Sequence, residues 1–206
     1  MPAYAHPVLV LLPPSEGKAS RRRGPAVDVG ALSFPELTLA RVQVLESLAK
    51  ASADGDALRT LGVGDSLADD VARNTRWRSR PTLPASALYT GVLYDALDLA
   101  GLPAAARRRA ATRLLVVSAA WGLLRPGDRM PPYRLPMDVD LPGVGPLAAH
   151  WRPHLVPLLT GLATGLVVDC RSSTYAAAWR PAGAVATRTV AVRVVREHAG
   201  RRSVVS

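Results

Sequence analysis

Short, continuous apolar runs alternate along this chain with longer stretches in which apolar residues return every three or four positions. Residues 7–12 (PVLVLL), 113–118 (RLLVVS) and 166–170 (LVVDC) are runs of the first kind and predict short, buried strands. In 184–196 polar and apolar residues alternate, the period of a half-exposed strand. Helical spacing begins at Pro35 and continues to about Lys50, with Leu37, Val44, Leu45 and Leu48 on one face. Proline suits that start, because a first-turn N–H has no partner to lose. Further helices are predicted over 65–78, 104–111, 146–159 and 173–179, the third kinked or interrupted at Pro153 and Pro157. Residues 88–99 read as a strand end followed by a short helix, while 19–30 and 81–87 are loops punctuated by Gly and Pro. The closing residues HAGRRSVVS read as a hairpin whose second strand is cut short, so a C-terminal segment is expected to be missing. Strands alternating with helices predict an α/β fold, a mixed twisted sheet with helices packed on it, in one domain over 1–206.

Composition narrows the classes. With 206 residues, 49% of them hydrophobic, the chain can bury a sizeable core. No apolar run approaches the roughly 18–20 residues of a membrane span, and the N-terminus lacks the basic start of a secretory signal. A cytoplasmic protein with no membrane partner is expected. Cys170 is the only cysteine, which excludes an internal disulfide. The net charge is +10, and of 26 Lys and Arg residues only Lys18 and Lys50 are lysine. A GC-rich genome exchanges Lys for Arg, but it does not create an excess of bases over acids. That excess points to DNA or an anionic small molecule as partner.

The run Ser118–Met137 (SAAWGLLRPGDRMPPYRLPM) concentrates the chemistry. Its four prolines forbid a continuous helix, and its Trp, Leu, Met and Tyr argue against a flexible linker. A structured loop bearing arginines directly after a buried strand is a common place for a binding site. Each predicted strand ends in a polar cluster. The first ends in Ser15, Glu16 and Lys18; the second in Ser118, with Arg125 and Arg134 following; the third in Asp169, Arg171, Ser172 and Ser173. Ligands of open α/β sheets sit beyond the carboxyl ends of strands. If the three strands are parallel neighbours, the clusters converge on one cationic cleft. Arg125 and Arg134 are then expected to face it together with Lys18, and Ser172 and Ser173 to cap the 173–179 helix. Lys18, Arg125, Arg134 and Arg171 would hold an anion there, while Glu16, Lys18 or Asp169 would serve as acid or base.

Other motifs add less. PSEGK at 14–18 lacks the glycines and the Ser/Thr of a nucleotide phosphate loop. Leu61-Gly62-Val63-Gly64 and Leu141-Pro142-Gly143-Val144-Gly145-Pro146 resemble helix-hairpin-helix turns, whose backbone amides hold a DNA phosphate without reading sequence; Gly143 and Gly145 are the candidate contacts. The four histidines are scattered, and Pro153 separates His150 from His154, so no metal site is expected. No cofactor is expected either.

Five segments in order resemble the YaaA family, the peroxide stress proteins: LLPPSEGK at 11–18, ALYTGVLYDALD at 87–98, the 118–137 run, the Trp151 helix, and DCRSSTYAAAW at 169–179. The resemblance spans nearly the whole chain. It implies a cytoplasmic protein that protects against hydrogen peroxide by limiting free iron and oxidative DNA damage. It also implies an unusual α/β fold with a basic cleft, DNA binding and a helix-hairpin-helix-like element. The family-pattern positions are Lys18, Tyr89, Gly91, Ser118, Gly122, Arg125, Pro126, Tyr133, Arg134 and Ser172 to Tyr175. Family members read N-L-A-S-x-E-Y where this chain has Asp169 to Tyr175, and continue into a C-terminal basic segment. Three functions stay open at this point: a DNA-binding stress protein, an enzyme acting on a phosphorylated or nucleobase-containing small molecule, and a plain solvated arginine surface.

Overall fold

The computed structural model describes residues 7–198 and 201–204, the side chains only through 195. Residues 1–6, 199–200 and 205–206 lie outside the described residues, and with them part of the stretch expected to be a cut-short hairpin. One five-stranded sheet organises the chain. Its strands are β1 (Leu9–Leu12), β2 (Leu114–Ser118), β3 (Gly122–Leu124), β4 (Val167–Asp169) and β5 (Thr189–Ala191), in the order β3-β2-β1-β4-β5. β1 lies parallel to both β2 and β4, with Leu11 opposite Leu115 and Val10 opposite Val168. β5 runs parallel to β4, and β3 returns antiparallel to β2. The three apolar runs of the sequence are thus parallel neighbours, and their carboxyl ends share one edge of the sheet.

Helices pack on this sheet. α1 (Thr38–Ala53) buries Ala40, Arg41, Val44, Leu45 and Leu48. α2 (Ala104–Arg113) leads directly into β2. α3 (Leu147–Leu162) buries Leu147, Trp151, Leu155 and Leu159, one residue per turn. Pro153 and Pro157 lie inside α3 on its exposed face, so the backbone bonds they remove are on the side that water can serve. The helix therefore runs through both positions instead of breaking.

Several expectations need correction. The 65–78 helix is three pieces, Asp65–Leu67, Ala68–Arg73 and Asn74–Arg76, only the middle one α-helical. The 184–196 strand resolves into a helical turn at Gly183–Ala186, the edge strand β5, and a strand Val195–His198 that pairs antiparallel with Arg201–Val204. The expected strand end near residue 88 is a helical turn, Ala85–Leu88, followed by the helix Val92–Leu97. The 141–146 segment is a β-hairpin, Asp140–Leu141 against Gly145–Pro146, with Gly143 and Gly145 at φ 75° and 88°. No helix precedes it, so it is not a helix-hairpin-helix. The 61–64 turn does join a helical turn, Ala57–Thr60, to the 65–73 pieces, with Gly62 at φ 62°.

Candidate functional site

The segment after β1 is clasped to the segment around Tyr89. Lys18 forms a backbone bridge with Tyr89, the Ala19 amide donates to Leu88 O at 2.8 Å, and the Thr90 amide donates to Gly17 O at 3.2 Å. The Ser15 hydroxyl donates to Thr90 O, and the Tyr94 hydroxyl donates to Pro13 O at 2.7 Å. A Cβ at Gly17 would stand 2.9 Å from the Thr90 hydroxyl, so the approach requires glycine. This interlock explains why PSEGK and ALYTG occur as a pair of motifs in one chain.

The 118–137 run closes the other side. Its backbone turns at Gly122 (φ 68°), where a Cβ would come within 2.7 Å of the Trp151 ring. Trp151 in turn donates its indole N–H to Ala119 O at 2.7 Å. Trp77, Trp121 and Tyr133 pack edge to face behind the run, with ring centroids 6.2 and 6.5 Å apart. Tyr133 joins a buried chain of hydroxyls, 2.7 Å from Ser118 and 3.0 Å from Tyr89. Burial holds the phenols of Tyr89, Tyr133, Tyr94 and Tyr175 well above their usual range, so all four stay protonated at neutral pH. Asn74 fixes the next residue by both ends: its carbonyl accepts the Arg134 amide at 2.9 Å, and its amide donates to Arg134 O at 2.9 Å.

Between these segments lies a cleft of about 520 Å³. Its walls are Pro13 to Glu16 with Lys18, Arg134 to Asp138, Ser172 to Tyr175, and Gly62. Members of the first and third strand-end clusters therefore share this cleft with Arg134 of the 118–137 run. Lys18 Nζ donates to Ser15 O at 2.8 Å and Glu16 O at 3.4 Å, and sits 4.4 Å from the centre of the Tyr133 ring. Burial, reinforced by the neighbouring Arg134 charge, pushes its pKa down to about 7. Arg134 is 8% exposed; it meets Asp70 at 3.3 Å and Glu16 at 3.8 Å, and its Nε has no partner. Two cations, Lys18 and Arg134, thus face two carboxylates, Glu16 and Asp138. The cleft is mixed in charge rather than uniformly basic.

Ser15, Glu16, Lys18, Arg134, Ser172 and Ser173 all line this cleft, as the strand-end argument requires. Ser118 lies behind Tyr133, fully buried. Five candidate residues do not join it. Arg125 points away, its guanidinium donating to Thr112 O at 2.7 Å and lying over the Phe34 ring at 5.2 Å. Asp169 and Arg171 form a buried pair through two bonds of 2.9 and 2.8 Å, and Arg171 also donates to Trp179 O at 2.8 Å. That pair fastens the 172–179 segment to β4 and leaves neither side chain on the cleft wall. Gly143 and Gly145 sit in the hairpin against α1, where Ser47 donates to Pro142 O. The expected capping is also absent. The helix is one turn, Ser173–Ala176, and the Ser172 hydroxyl pairs with Thr174 at 3.0 Å instead of capping it.

Sequence reasoning passed over Arg41, Asn74 and Asp70. Arg41 is completely buried and donates to the carbonyls of Trp121 and Leu123 at 2.9 and 2.8 Å and of Ser33 at 2.7 Å, holding the 118–137 run to α1. Its signal was visible: it stands four residues after Leu37, on the apolar stripe of α1. Asn74 and Asp70 carried none, since both fall in a segment read as ordinary helix.

The arginine excess collects elsewhere. Arg21, Arg22, Arg76 and Arg80, with Ser20, Ser79 and Pro81, line a groove of about 500 Å³ that has no carboxylate in its walls. Arg80 has a buried, unpartnered Nε, and burial together with the Arg73 and Arg76 charges lowers its pKa. Asp70 stands between groove and cleft, one oxygen on Arg73 and the other on Arg134. Among the described residues no three His, Cys, Asp or Glu side chains gather as a metal site, and no helix is long and apolar enough to cross a membrane.

Comparison with known proteins gives a consistent result. A family model described as peroxide stress protein YaaA matches residues 8–206. A UPF0246 protein of Streptomyces coelicolor is 52% identical over 202 residues, covering 97% of this chain and 77% of the relative. A UPF0246 protein of Corynebacterium efficiens is 40% identical over 189 residues, covering 90% and 75% respectively.

Proposed function

Because the chain belongs to the peroxide stress protein YaaA family, we propose that it works in the cytoplasm in defence against hydrogen peroxide, limiting iron-dependent damage and binding DNA without sequence preference. The observation that carries the DNA part is the groove of Arg21, Arg22, Arg76 and Arg80, whose walls hold no counter-charge. Guanidinium groups in such a row suit the phosphate backbone, which offers charge and acceptors but no sequence. The mixed charge of the cleft suits a phosphate track less well, so the groove rather than the cleft takes the duplex. Binding of a duplex by wild-type protein falls steeply with salt in this reading. The quadruple change of these arginines to Gln lowers the slope of log affinity against log salt by about 3 to 4, at roughly 0.9 per phosphate contact. Equal slopes for the two proteins would sink the reading.

A second reading is favoured by one observation in the cleft. Lys18 is held at a pKa of about 7 beside Glu16 and Arg134. Tracking of a phosphate backbone needs a permanently charged lysine, whereas an amine poised near neutrality suits acid–base chemistry. In this reading the cleft is an enzyme site for a small anionic molecule. Arg134 binds the anion, the hydroxyls of Ser172 and Ser173 line the opposite wall, and Lys18 exchanges the proton.

A further inference from the structure

Lys18 is set up differently from a lysine that binds charge. Ammonium groups in proteins are ordinarily met by a carboxylate. Here the carboxylate of Glu16, two residues away, turns to Arg134 instead, and both acceptors of Nζ are neutral backbone carbonyls. A neutral amine has two hydrogens and one lone pair. In the neutral form Ser15 O at 2.8 Å and Glu16 O at 3.4 Å take the two hydrogens, which leaves the lone pair without a protein donor. The backbone on either side is pinned by the bridge to Tyr89, and the Tyr133 ring backs the amine at 4.4 Å. Pro13, Pro14, Leu135 and Met137 contribute the apolar part of the cleft lining.

Arg134 shows what the ligand's other end would be. It is nine-tenths buried, its Nε is unpartnered, and its Glu16 contact is loose at 3.8 Å, with the Glu16 side chain 94% exposed. Glu16 is thus free to move out, and a ligand carboxylate or phosphate takes its place on the guanidinium.

We propose that Lys18 is a nucleophile that captures an anionic aldehyde or ketone as an imine, with Arg134 holding the ligand's anionic group. The inference rests on the second reading above, that the cleft is an enzyme site. The step balances without any redox partner. The Nζ lone pair attacks the carbonyl carbon, and the C=O π pair moves to oxygen. The two N–H protons then leave with that oxygen as one water, giving the C=N bond.

The composition makes the test clean, because Lys50 is the only other lysine and lies exposed on α1. The full chain is treated with glyoxylate and cyanoborohydride at neutral pH, and adducts at Lys18 and Lys50 are followed separately by peptide mass. Lys18 is expected to be trapped about tenfold faster or more, since an ordinary lysine is almost wholly protonated there. Propionaldehyde, which lacks the anion, is expected to lose most of that advantage, and Arg134→Gln to erase the difference between the two aldehydes at Lys18. Trapping of Lys50 as fast as Lys18, or equal preference for both aldehydes in the wild type, would overturn the inference. Acetic anhydride separates this failure from that of the enzyme reading. It acylates any neutral amine without needing a carbonyl site. Lys18 acetylated ahead of Lys50 but not trapped by glyoxylate defeats the imine and leaves the acid–base reading standing. Lys18 slower than Lys50 with both reagents defeats both.

Discussion

The cleft and the arginine groove are both cationic features built from a few side chains, yet they treat charge in opposite ways. In the groove four arginines stand together with no acid in the walls. In the cleft the two cations are held from behind: the Arg134 backbone by Asn74, Lys18 by Ser15 and Tyr89, and the wall beside them by the Asp169–Arg171 pair. A formal charge of +10 describes the first region well and the second hardly at all. The groove is a field, and the cleft is an arrangement.

Perturbation should therefore separate them, most sharply where burial is deepest. Asp169→Ala leaves the Arg171 guanidinium buried and unpaired, and is expected to cost about 3–5 kcal/mol, or roughly 10 °C in Tm. The exposed Arg78–Glu46 pair near the groove is the control: Glu46→Gln should change stability by about 0.5 kcal/mol or less. Comparable losses in thermal melts of the two variants would erase the distinction. Asn74→Ala comes next. It strips the Arg134 backbone of both bonds in a buried site and is expected to cost about 2 kcal/mol by denaturant unfolding. It should leave the salt slope of DNA binding unchanged.

A separate handle on the cleft is its pH dependence. Lys18 has a folded pKa of about 7 against an ordinary value of 10.5, so above pH 7 the unfolded chain binds a proton that the folded chain does not. Stability therefore rises with pH from about 7, until the tyrosines begin to titrate in the unfolded chain near pH 10 and reverse the trend. Lys18→Met should flatten the rise between about pH 7 and 9.5 in denaturant titrations, while Lys50→Met should not. Identical curves for wild type and Lys18→Met would mean that the amine is charged in the folded protein.

How far the sequence could be read depended on what each feature needed. Bringing Ser15, Lys18 and Ser172 together required that the apolar runs be parallel neighbours, a condition the sequence left open and the sheet order meets. Arg125 and Arg134 stand nine residues apart in one loop and look alike in sequence. They differ because of β3, three residues concealed inside the run. Leu124 pairs with Val116, so the chain has already doubled back when it reaches Arg125, which ends near the start of β2 beside Thr112. Only the return leg, through Arg129–Met130 paired with Leu83–Pro84, brings Arg134 to the cleft. Likewise Asp169 and Arg171 advertise chemistry by type, but being two apart at a strand end lets them satisfy each other. The DNA-hairpin resemblance failed at 141–146 because Gly-Val-Gly serves a β-turn as readily as a helical one.

Asp70 contributes one negative charge and divides it between two addresses, Arg73, whose own charge is felt by Arg80 of the groove, and Arg134 in the cleft. An anion that settles on either guanidinium competes for that carboxylate, and whatever share it displaces becomes available to the other. If both places take an anion, the two binding events are coupled through that carboxylate. Thermodynamic reciprocity requires that occupancy of the groove alter affinity in the cleft by the same factor as the reverse. A single shared counterion would then be enough to link the two places, with no movement of the sheet between them.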